Sequence, residues 1–247
     1  MLAPLTIADL LEHHRDGRCL VLEGGADKFT SLVTLEDIER QLNNGANASV
    51  FAHVIKDGHR TTLVNSNAVW APSCLKKSEF LEHIKAGNSF MLANSSQVSR
   101  GLSRLCDELE ACFIEQSIHA DVHLYVSMNE LGNSYNAHRD RPQHKLLLQA
   151  YGQTHWKLYE PKKELPKDLQ YVAQDQEAEL LNQVAEFDLT QGDLLYMPAG
   201  VFHRVTHVGG PRVSISIPFF AMQEATPMDR THIPFTKLFS QASQSCD

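Results

Sequence analysis

The first 115 residues carry apolar side chains at helical spacing. Apolar residues recur every three or four positions in four segments, and this period predicts an amphipathic helix in each. A threonine or serine precedes three of the segments and would cap the helix by accepting a hydrogen bond from its first turn. The predicted helices follow Thr6, follow Thr34, cover residues 78–84, and follow Ser95 or Ser96, the last continuing through Leu102, Leu105, Leu109 and Phe113.

Short apolar runs between these helices and throughout the second half of the chain predict strands. In the first half they lie at residues 19–22 and 90–93, with two more inside 49–64 around a turn at Asp57 and Gly58. From Asp121 onward, short strands separated by turn residues follow one another, which is typical of a closed or sandwiched antiparallel sheet. They are predicted at residues 122–127, within 135–161, and at 186–189, 194–197 and 213–219.

This order of elements predicts a mainly β fold with α+β decoration. Residues 1–115 form an N-terminal α+β region that packs on the sheet, because no linker-like composition separates the two parts. Residues 116–222 form the β domain, interrupted by a lysine- and glutamate-rich insert at 162–183 that carries a short helix. Residues 223–247 are a polar C-terminal tail.

Composition and charge exclude several classes of function. The net charge of −8, without a block of Lys or Arg, gives no general attraction for nucleic acid. No apolar run approaches the ~20 residues of a membrane span, and acidic residues come too early for a signal peptide, so a cytoplasmic protein without membrane contact is expected. The five cysteines are scattered and never form C-x-x-C, which disfavours disulfides and thiolate zinc sites.

Candidate chemistry begins with a His-x-Asp pair, His138 and Asp140. In an extended segment, side chains two residues apart point to the same face, so both can reach one cation. His203 follows a predicted strand and a Pro-Ala-Gly turn, and it is the best third ligand. Two histidines and a carboxylate leave open positions on a ferrous ion, although Mn, Co, Ni or Zn would also fit. A lone His-x-Asp is a weak signal, because it occurs often by chance.

The surrounding motifs make the pair more specific. They are H-x-D at 138–140, Gln149-x-x-Gly152 with Trp156 four residues further, and GDLLYMPAGxxH from Gly192 to His203. With these motifs the chain resembles the JmjC branch of the cupin-type Fe(II)/2-oxoglutarate oxygenases, particularly the bacterial ribosomal-oxygenase-like group. The resemblance implies a double-stranded β-helix (cupin or jelly-roll) core with N-terminal helices packed on it, iron bound by His138, Asp140 and His203, and 2-oxoglutarate as cosubstrate.

One position departs from the family pattern. Two residues after the glycine of Q-x-x-G, the family has a Lys or Arg for the far carboxylate of 2-oxoglutarate, whereas this chain has Thr154. His155 and Lys157 have the opposite strand parity and are expected to face outward. Arg212 and Ser214 are similar to the Arg-x-Ser pair of other 2-oxoglutarate oxygenases, and Thr154 would add a hydrogen bond. The alternative is that Arg212 is a solvated residue of the preceding glycine turn.

The strand at 122–127 offers further candidates. His123, Tyr125 and Ser127 share one face. The resemblance implies that Ser127 approaches the cosubstrate and that Tyr125 lines the same cavity; the alternative is the wet face of an edge strand. His144 is expected at the entrance, and Trp156, Leu158 and Phe202 in the core or the pocket wall.

The function implied by the resemblance is hydroxylation with succinate and CO2 as coproducts. The substrate would be a protein or peptide side chain, or a small molecule, since the short C-terminus has no room for the added domains of the ribosomal oxygenases. Two alternatives stay open. The first is a metal-dependent cupin oxygenase, isomerase or epimerase that does not use 2-oxoglutarate, and Thr154 favours it. The second is a non-catalytic binding module, and the intact set of candidate metal ligands disfavours it. The sequence does not settle the oligomeric state; a homodimer is one open outcome, because barrels of this kind often pair through surfaces that carry no local sequence signature.

Overall fold

The structure is a computed structural model that describes residues 5–44, 52–56, 58–65, 74–128, 135–207 and 209–221. The C-terminal tail predicted at 223–247 and Asp57 of the predicted turn lie outside the described residues. The described helices are α1 Ile7–Asp16, α2 Leu35–Asn43, α3 Lys77–Lys85, α4 Arg100–Cys112 and α5 Glu177–Leu180, with a 3₁₀ turn at Ile114–Gln116.

The described strands follow one another along the chain, most of them after residue 115. Those of the N-terminal region are β1 Leu20–Leu22, β2 Ala52–Lys56, β3 His59–Thr62, β4 Val64–Asn65, β5 Cys74–Leu75 and β6 Ser89–Leu92. The remainder are β7 Ile118–Ala120, β8 His123–Ser127, β9 His144–Tyr151, β10 Thr154–Pro161, β11 Leu181–Leu189, β12 Leu194–Met197, β13 Phe202–His207 and β14 Arg212–Ala221.

Two threonine caps fix the first helices, as predicted. Thr6 accepts a hydrogen bond from the Asp9 N–H, and the Asp9 carboxylate accepts one from the Thr6 N–H; Thr34 and Asp37 form the same reciprocal pair. Each pair satisfies two donors that a helix N-terminus otherwise leaves unpaired.

The predicted cap of α4 is wrong. Ser99 caps the helix, and its Oγ accepts a hydrogen bond from the Leu102 N–H at 3.1 Å. The Ser95 hydroxyl instead donates to the carbonyl of Leu92, and the Ser96 N–H donates to the Asp121 carboxylate. Both earlier serines therefore hold the end of β6, and the helix begins only after the turn that follows them.

Most of the strands form a double-stranded β-helix of two antiparallel sheets, and β4 and β5 pair separately. The larger sheet has the order β1-β12-β9-β14-β8-β6-β2-β3, with β7 on β14, and the smaller has the order β11-β10-β13. From β8 onward the chain passes back and forth between the two sheets, which is the winding of a jelly roll. His138 forms a single bridge to His203 on β13, so its segment lies at the edge of the smaller sheet without forming a regular strand.

Strand β9 shows why the larger sheet buries both faces. Leu146, Leu148 and Ala150 belong to the main core together with residues of the N-terminal helices. Leu147 belongs to a second core that lies between the sheets. Each buried leucine side chain contributes roughly 1.5–3 kcal/mol relative to solvent exposure. The helices thus cover the outer face of the larger sheet, and the inner face is free to line a cavity.

The N-terminal region does not only pack on the larger sheet; several of its strands are part of that sheet. β6 pairs with β8, with Phe90 opposite Val126, and β1 pairs with β12. β2 and β3 then extend the sheet beyond β6. The division between residues 115 and 116 stays a prediction, but hydrogen bonding of the sheet continues across it.

The predicted insert contains the expected short helix, α5. The insert ends earlier than its predicted end at residue 183, because β11 begins at Leu181 and is longer than the predicted strand at 186–189. The cysteines in the described part of the chain, at positions 19, 74, 106 and 112, form no disulfide bonds with one another, as expected. Among the described helices, none has the length and apolar character needed to cross a membrane.

Candidate metal centre

His138, Asp140 and His203 come together between the two sheets. One ligand atom from each lies within 4.8 Å of the other two. Backbone hydrogen bonds hold the two histidines side by side, from the His138 N–H to the His203 carbonyl at 2.9 Å and back at 2.7 Å. The Gly200 N–H donates to the Asp140 carbonyl at 2.8 Å and ties the third residue to the turn before β13.

Both imidazole rings are oriented by the backbone. Nδ1 of His138 lies 2.8 Å from the Asn136 carbonyl, and Nδ1 of His203 lies 3.0 Å from the Val201 carbonyl. Because a carbonyl can only accept, each ring carries its proton on Nδ1, and Nε2 keeps its lone pair. Burial lowers the pKa of His138 and lowers that of His203 to about 3, so both rings are neutral near pH 7.

Asp140 completes the arrangement as an anion. Its Oδ2 lies 3.6 Å from His203 Nε2 and 2.6 Å from Lys145 Nζ. Burial alone would raise its pKa, but the positive charge of Lys145, with smaller electrostatic contributions from His203 and His138, outweighs burial and holds the pKa below its usual value. Apart from the Lys145 ion pair, Oδ2 has no hydrogen-bond partner among the described residues. A buried carboxylate oxygen beside two imidazole nitrogens fits a divalent cation.

A cavity of about 50 Å³ lies beside His138 and His203. One water needs roughly 10–15 Å³ on the same measure, so the space takes a small organic molecule or a few waters. Ile55 of β2, Leu147 of β9 and Trp156 of β10 form apolar walls. The indole of Trp156 stacks on the ring of His203, with centroids 5.7 Å apart.

Arg212 stands at the wall of the same cavity and is only 4% exposed. Its Nε donates to Ser127 Oγ at 3.0 Å, and Nη1 donates to Ser214 Oγ at 3.4 Å. Burial lowers its pKa to about 10, which leaves the guanidinium charged at neutral pH. No carboxylate of the described residues forms an ion pair with it. The alternative of a solvated turn residue is therefore wrong.

Thr154 lies behind the cavity wall. It is fully buried, its hydroxyl donates to Gln149 Oε1 at 3.0 Å, and it accepts a hydrogen bond from Trp156 Nε1 at 2.9 Å. Gln149 Oε1 also accepts from Ser214 at 2.9 Å, so the amide links Thr154 to the residues beside Arg212. A direct bond between Thr154 and a cosubstrate stays a prediction.

The candidates on β8 lie where the strand parity placed them. Tyr125 lines the cavity, and burial raises the pKa of its hydroxyl. Ser127 is fully buried and contacts both Arg212 and Ser89, whose Oγ is 2.6 Å away. His155 faces outward as predicted and lies within 2.8 Å of carboxylates on β11.

The expected position of His144 at the entrance is wrong. It has the opposite parity to Lys145 on β9 and faces the N-terminal helices. Its ring centroid lies 4.4 Å from that of His14 on α1, and its Nδ1 lies 3.2 Å from the Tyr196 hydroxyl.

Sequence reasoning missed three residues that bring polar groups to the cavity, namely Lys145, Ser216 and Tyr135. One feature of the sequence could have indicated that Lys145 lies on the inner face of the strand. It precedes the apolar run 146–148 and is four residues from Gln149. Even spacing on a strand places both on one face. Tyr135 is placed by the fold alone, with its ring centroid 5.3 Å from that of His138.

Comparison with known proteins agrees with this geometry. A sequence model of the JmjC domain matches residues 92–226, more than half of the 247-residue chain. The chain belongs to the JmjC domain family. The matched JmjC segment contains all three candidate metal ligands and Arg212.

Curated relatives of this JmjC domain are much longer proteins. The bifunctional lysine-specific demethylase and histidyl-hydroxylase NO66 of Drosophila pseudoobscura pseudoobscura is 27% identical over 210 residues, which cover 83% of this chain and 21% of that protein. NO66 of Brugia malayi is 30% identical over 185 residues, which cover 72% of this chain and 23% of that protein. The chain thus spans about a fifth to a quarter of the length of these relatives.

Solved structures share the fold. Escherichia coli YcfD matches with a TM-score of 0.58 and 16% identity, over 98% of this chain and 68% of that one. A structure described as the ribosomal oxygenase YcfD in complex with cobalt and 2-oxoglutarate matches with a TM-score of 0.55 and 15% identity, over 98% and 67% of the two chains. At this identity the likeness establishes the double-stranded β-helix.

Proposed function

We propose that this JmjC domain is an iron(II)- and 2-oxoglutarate-dependent oxygenase that hydroxylates a protein or peptide side chain or a small molecule. His138, Asp140 and His203 hold the iron through two Nε2 atoms and a carboxylate oxygen. The bound iron and cosubstrate supply the oxidising chemistry, in which dioxygen hydroxylates a C–H bond while 2-oxoglutarate becomes succinate and CO2.

The observation that carries this proposal is the unpaired charge of Arg212. A buried cation without a carboxylate partner is costly unless a ligand supplies the counter-charge. Arg212 shares its cavity with the candidate metal ligands, and Ser127 and Ser214 hold its guanidinium. A dicarboxylate that reaches from a metal to a cation matches this pairing. Arg212 thus takes the role that the family gives to a cation at the position of Thr154.

The remaining contacts position the cosubstrate and exclude water. Gln149 accepts hydrogen bonds from Thr154 and Ser214 and keeps the Ser214 hydroxyl beside the guanidinium. Trp156 and Leu147 provide an apolar wall, which strengthens the charge pairs inside the cavity by lowering the local dielectric.

The names of the relatives support a protein substrate. The NO66 proteins are named as lysine-specific demethylases and histidyl-hydroxylases, and YcfD is described as a ribosomal oxygenase. We therefore favour a protein or peptide side chain over a small molecule. A cupin enzyme that does not use 2-oxoglutarate would leave Arg212 without a function in the cavity, and a binding module would leave the metal ligands without one.

Substitution of Arg212 tests the cosubstrate site. Arg212→Met should weaken 2-oxoglutarate binding roughly thirtyfold or more, because removal of one partner of a buried charge pair costs about 2 kcal/mol or more. Mn(II) binding should persist, since Arg212 is not a ligand. Calorimetric titration of Mn(II)-loaded protein measures both affinities.

Arg40→Met on α2 is the matched control, because Arg40 is exposed and pairs only with the neighbouring Asp37 among the described residues. The control should bind 2-oxoglutarate like the wild type. Equal 2-oxoglutarate affinity in Arg212→Met and the wild type would remove Arg212 from the cosubstrate site.

A further inference from the structure

Lys145 is a second buried cation, at the metal end of the cavity. Its side chain is 7% exposed, and Nζ lies 2.6 Å from Asp140 Oδ2. The next three residues of β9 are leucines, so in that direction the strand offers it no polar neighbour before Gln149. Its present partner is the carboxylate oxygen that a metal would bind.

Counting the charges shows that Lys145 has no full counter-charge once the metal and 2-oxoglutarate are bound. The cavity brings together two cations, Arg212 and Lys145, and the carboxylate of Asp140. If the proposed function holds, Fe(II) adds two positive charges and 2-oxoglutarate adds two negative ones, so the sum stays at one excess positive charge. Asp140 and one carboxylate bind the metal, and the other carboxylate binds Arg212. The excess charge is that of Lys145, and a buried unpaired charge is costly.

Ser216 marks the place where an anion would bind. It is fully buried, it lines the same cavity, and its Oγ has no hydrogen-bond partner among the described residues. In the β9–β14 register, Leu147 is opposite Ser216 and Lys145 is opposite Pro218. Lys145 and Ser216 are therefore diagonal neighbours, about 7–8 Å apart, within reach of one bound group.

We propose that Lys145 and Ser216 form a carboxylate subsite beside the metal position, and that the substrate fills it with an anionic group. The substrate is then an acidic side chain of a peptide or a small carboxylic acid, with the carboxylate close to the carbon that is hydroxylated. The inference rests on the proposed function, which supplies the charge count.

The same carboxylate chemistry has a second source, the metal-side carboxylate of 2-oxoglutarate. That group is already included in the charge count, so its contact with Lys145 would still leave one positive charge without a partner. The count therefore favours the substrate.

Titration with a carboxylate and its neutral amide tests the subsite. Protein saturated with Mn(II) and 2-oxoglutarate is titrated calorimetrically with propionate and, separately, with propionamide. The wild type should bind propionate about tenfold or more tightly than propionamide, as expected for a charge-assisted hydrogen bond. Lys145→Met should abolish the preference, and Ser216→Ala should reduce it.

Lys157→Met is the control, since Lys157 lies on β10 and pairs with Glu186 on the outer face of the smaller sheet. It should keep the preference for propionate. Lys145→Gln serves as a second variant, and bound Mn(II) together with circular dichroism verifies that each variant is folded.

Different outcomes of this titration would overturn the subsite alone or the subsite together with the proposed function. Equal binding of propionate and propionamide to wild type that has bound 2-oxoglutarate overturns the subsite alone. If Lys145→Met keeps Mn(II) but loses 2-oxoglutarate affinity tenfold or more, Lys145 binds the cosubstrate, and the proposed substrate subsite is also overturned. Wild type that binds Mn(II) but no 2-oxoglutarate overturns the proposed function and the subsite together.

Discussion

Two residues explain how the cavity keeps a cation although this chain lacks one at the position where the family has it. Thr154 on β10 stands at the family's cation position, and Arg212 on β14 lines the same cavity from the larger sheet. Gln149 connects the two positions by accepting hydrogen bonds from Thr154 and Ser214. The cavity thus keeps a positively charged side chain, which comes from β14 and not from β10.

Thr154→Val tests whether Thr154 supports the site or contacts the cosubstrate. Valine keeps the shape but leaves the buried Trp156 Nε1–H without its acceptor, so the free energy of unfolding should fall by about 1–3 kcal/mol in urea titrations. Affinity for 2-oxoglutarate should change less than about threefold, because Arg212 carries the charge pair.

Thr61→Val on the exposed strand β3 is the control and should leave both quantities unchanged. A tenfold or larger loss of 2-oxoglutarate affinity in Thr154→Val, at wild-type stability, would instead place Thr154 in direct contact with the cosubstrate.

Even spacing on an extended segment grouped His138 with Asp140. The strand and turn before His203 indicated the third candidate ligand, and the family resemblance pointed to Arg212 and Tyr125. None of these signals predicted Lys145 or Ser216 as cavity residues. Their roles depend on the β9–β14 register and on which face of each strand meets the smaller sheet. Both depend on long-range pairing, which local spacing does not encode.

At the scale of elements, the β9–β10 hairpin sets the position of Arg212. Gly152 has φ +68°, and a Cβ placed on it would lie 2.3 Å from the Pro211 carbonyl oxygen and 3.1 Å from the Arg212 Cα. The hairpin and the start of β14 therefore touch backbone to backbone. Only glycine permits this approach, which holds Arg212 beside Ser127 and Ser214.

Gly152→Ala should break this contact. The positive φ alone costs about 1 kcal/mol, and the clash with backbone adds more, so the loss of unfolding free energy should exceed roughly 2 kcal/mol. Gly17→Ala is the matched control, since Gly17 has φ +64° and a Cβ there meets no atom within 4 Å. Urea unfolding measures both variants, and equal losses would show that the close approach contributes nothing.

Elements with local signals were predictable, and those that depend on distant partners were not. Threonine with aspartate three residues later marked the starts of α1 and α2. The start of α4 was placed too early, because Ser95 and Ser96 bind the end of β6 and residues near β8 that are distant in sequence. The segment of His138 was predicted as extended, but its only bridges are to Tyr171 and His203 among the described residues.

At the scale of the whole molecule, the cavity is shared between the JmjC domain and the region before it. The family match begins at residue 92, yet Ile55 on β2 lines the cavity. β6 extends the larger sheet from β8 toward β2. Substrate recognition is therefore expected to involve the N-terminal region, for which the sequence carries no motif. Cytoplasmic location and pairing of two chains stay predictions.

The most direct test of the central claim is anaerobic titration of the Fe(II)-loaded protein with 2-oxoglutarate, followed by visible absorption. A metal-to-ligand charge-transfer band should grow to saturation at one equivalent, because the cosubstrate chelates the iron held by His138, Asp140 and His203. Succinate, which lacks the keto oxygen, should give no band. Stoichiometric iron without any band at saturating 2-oxoglutarate would contradict the account.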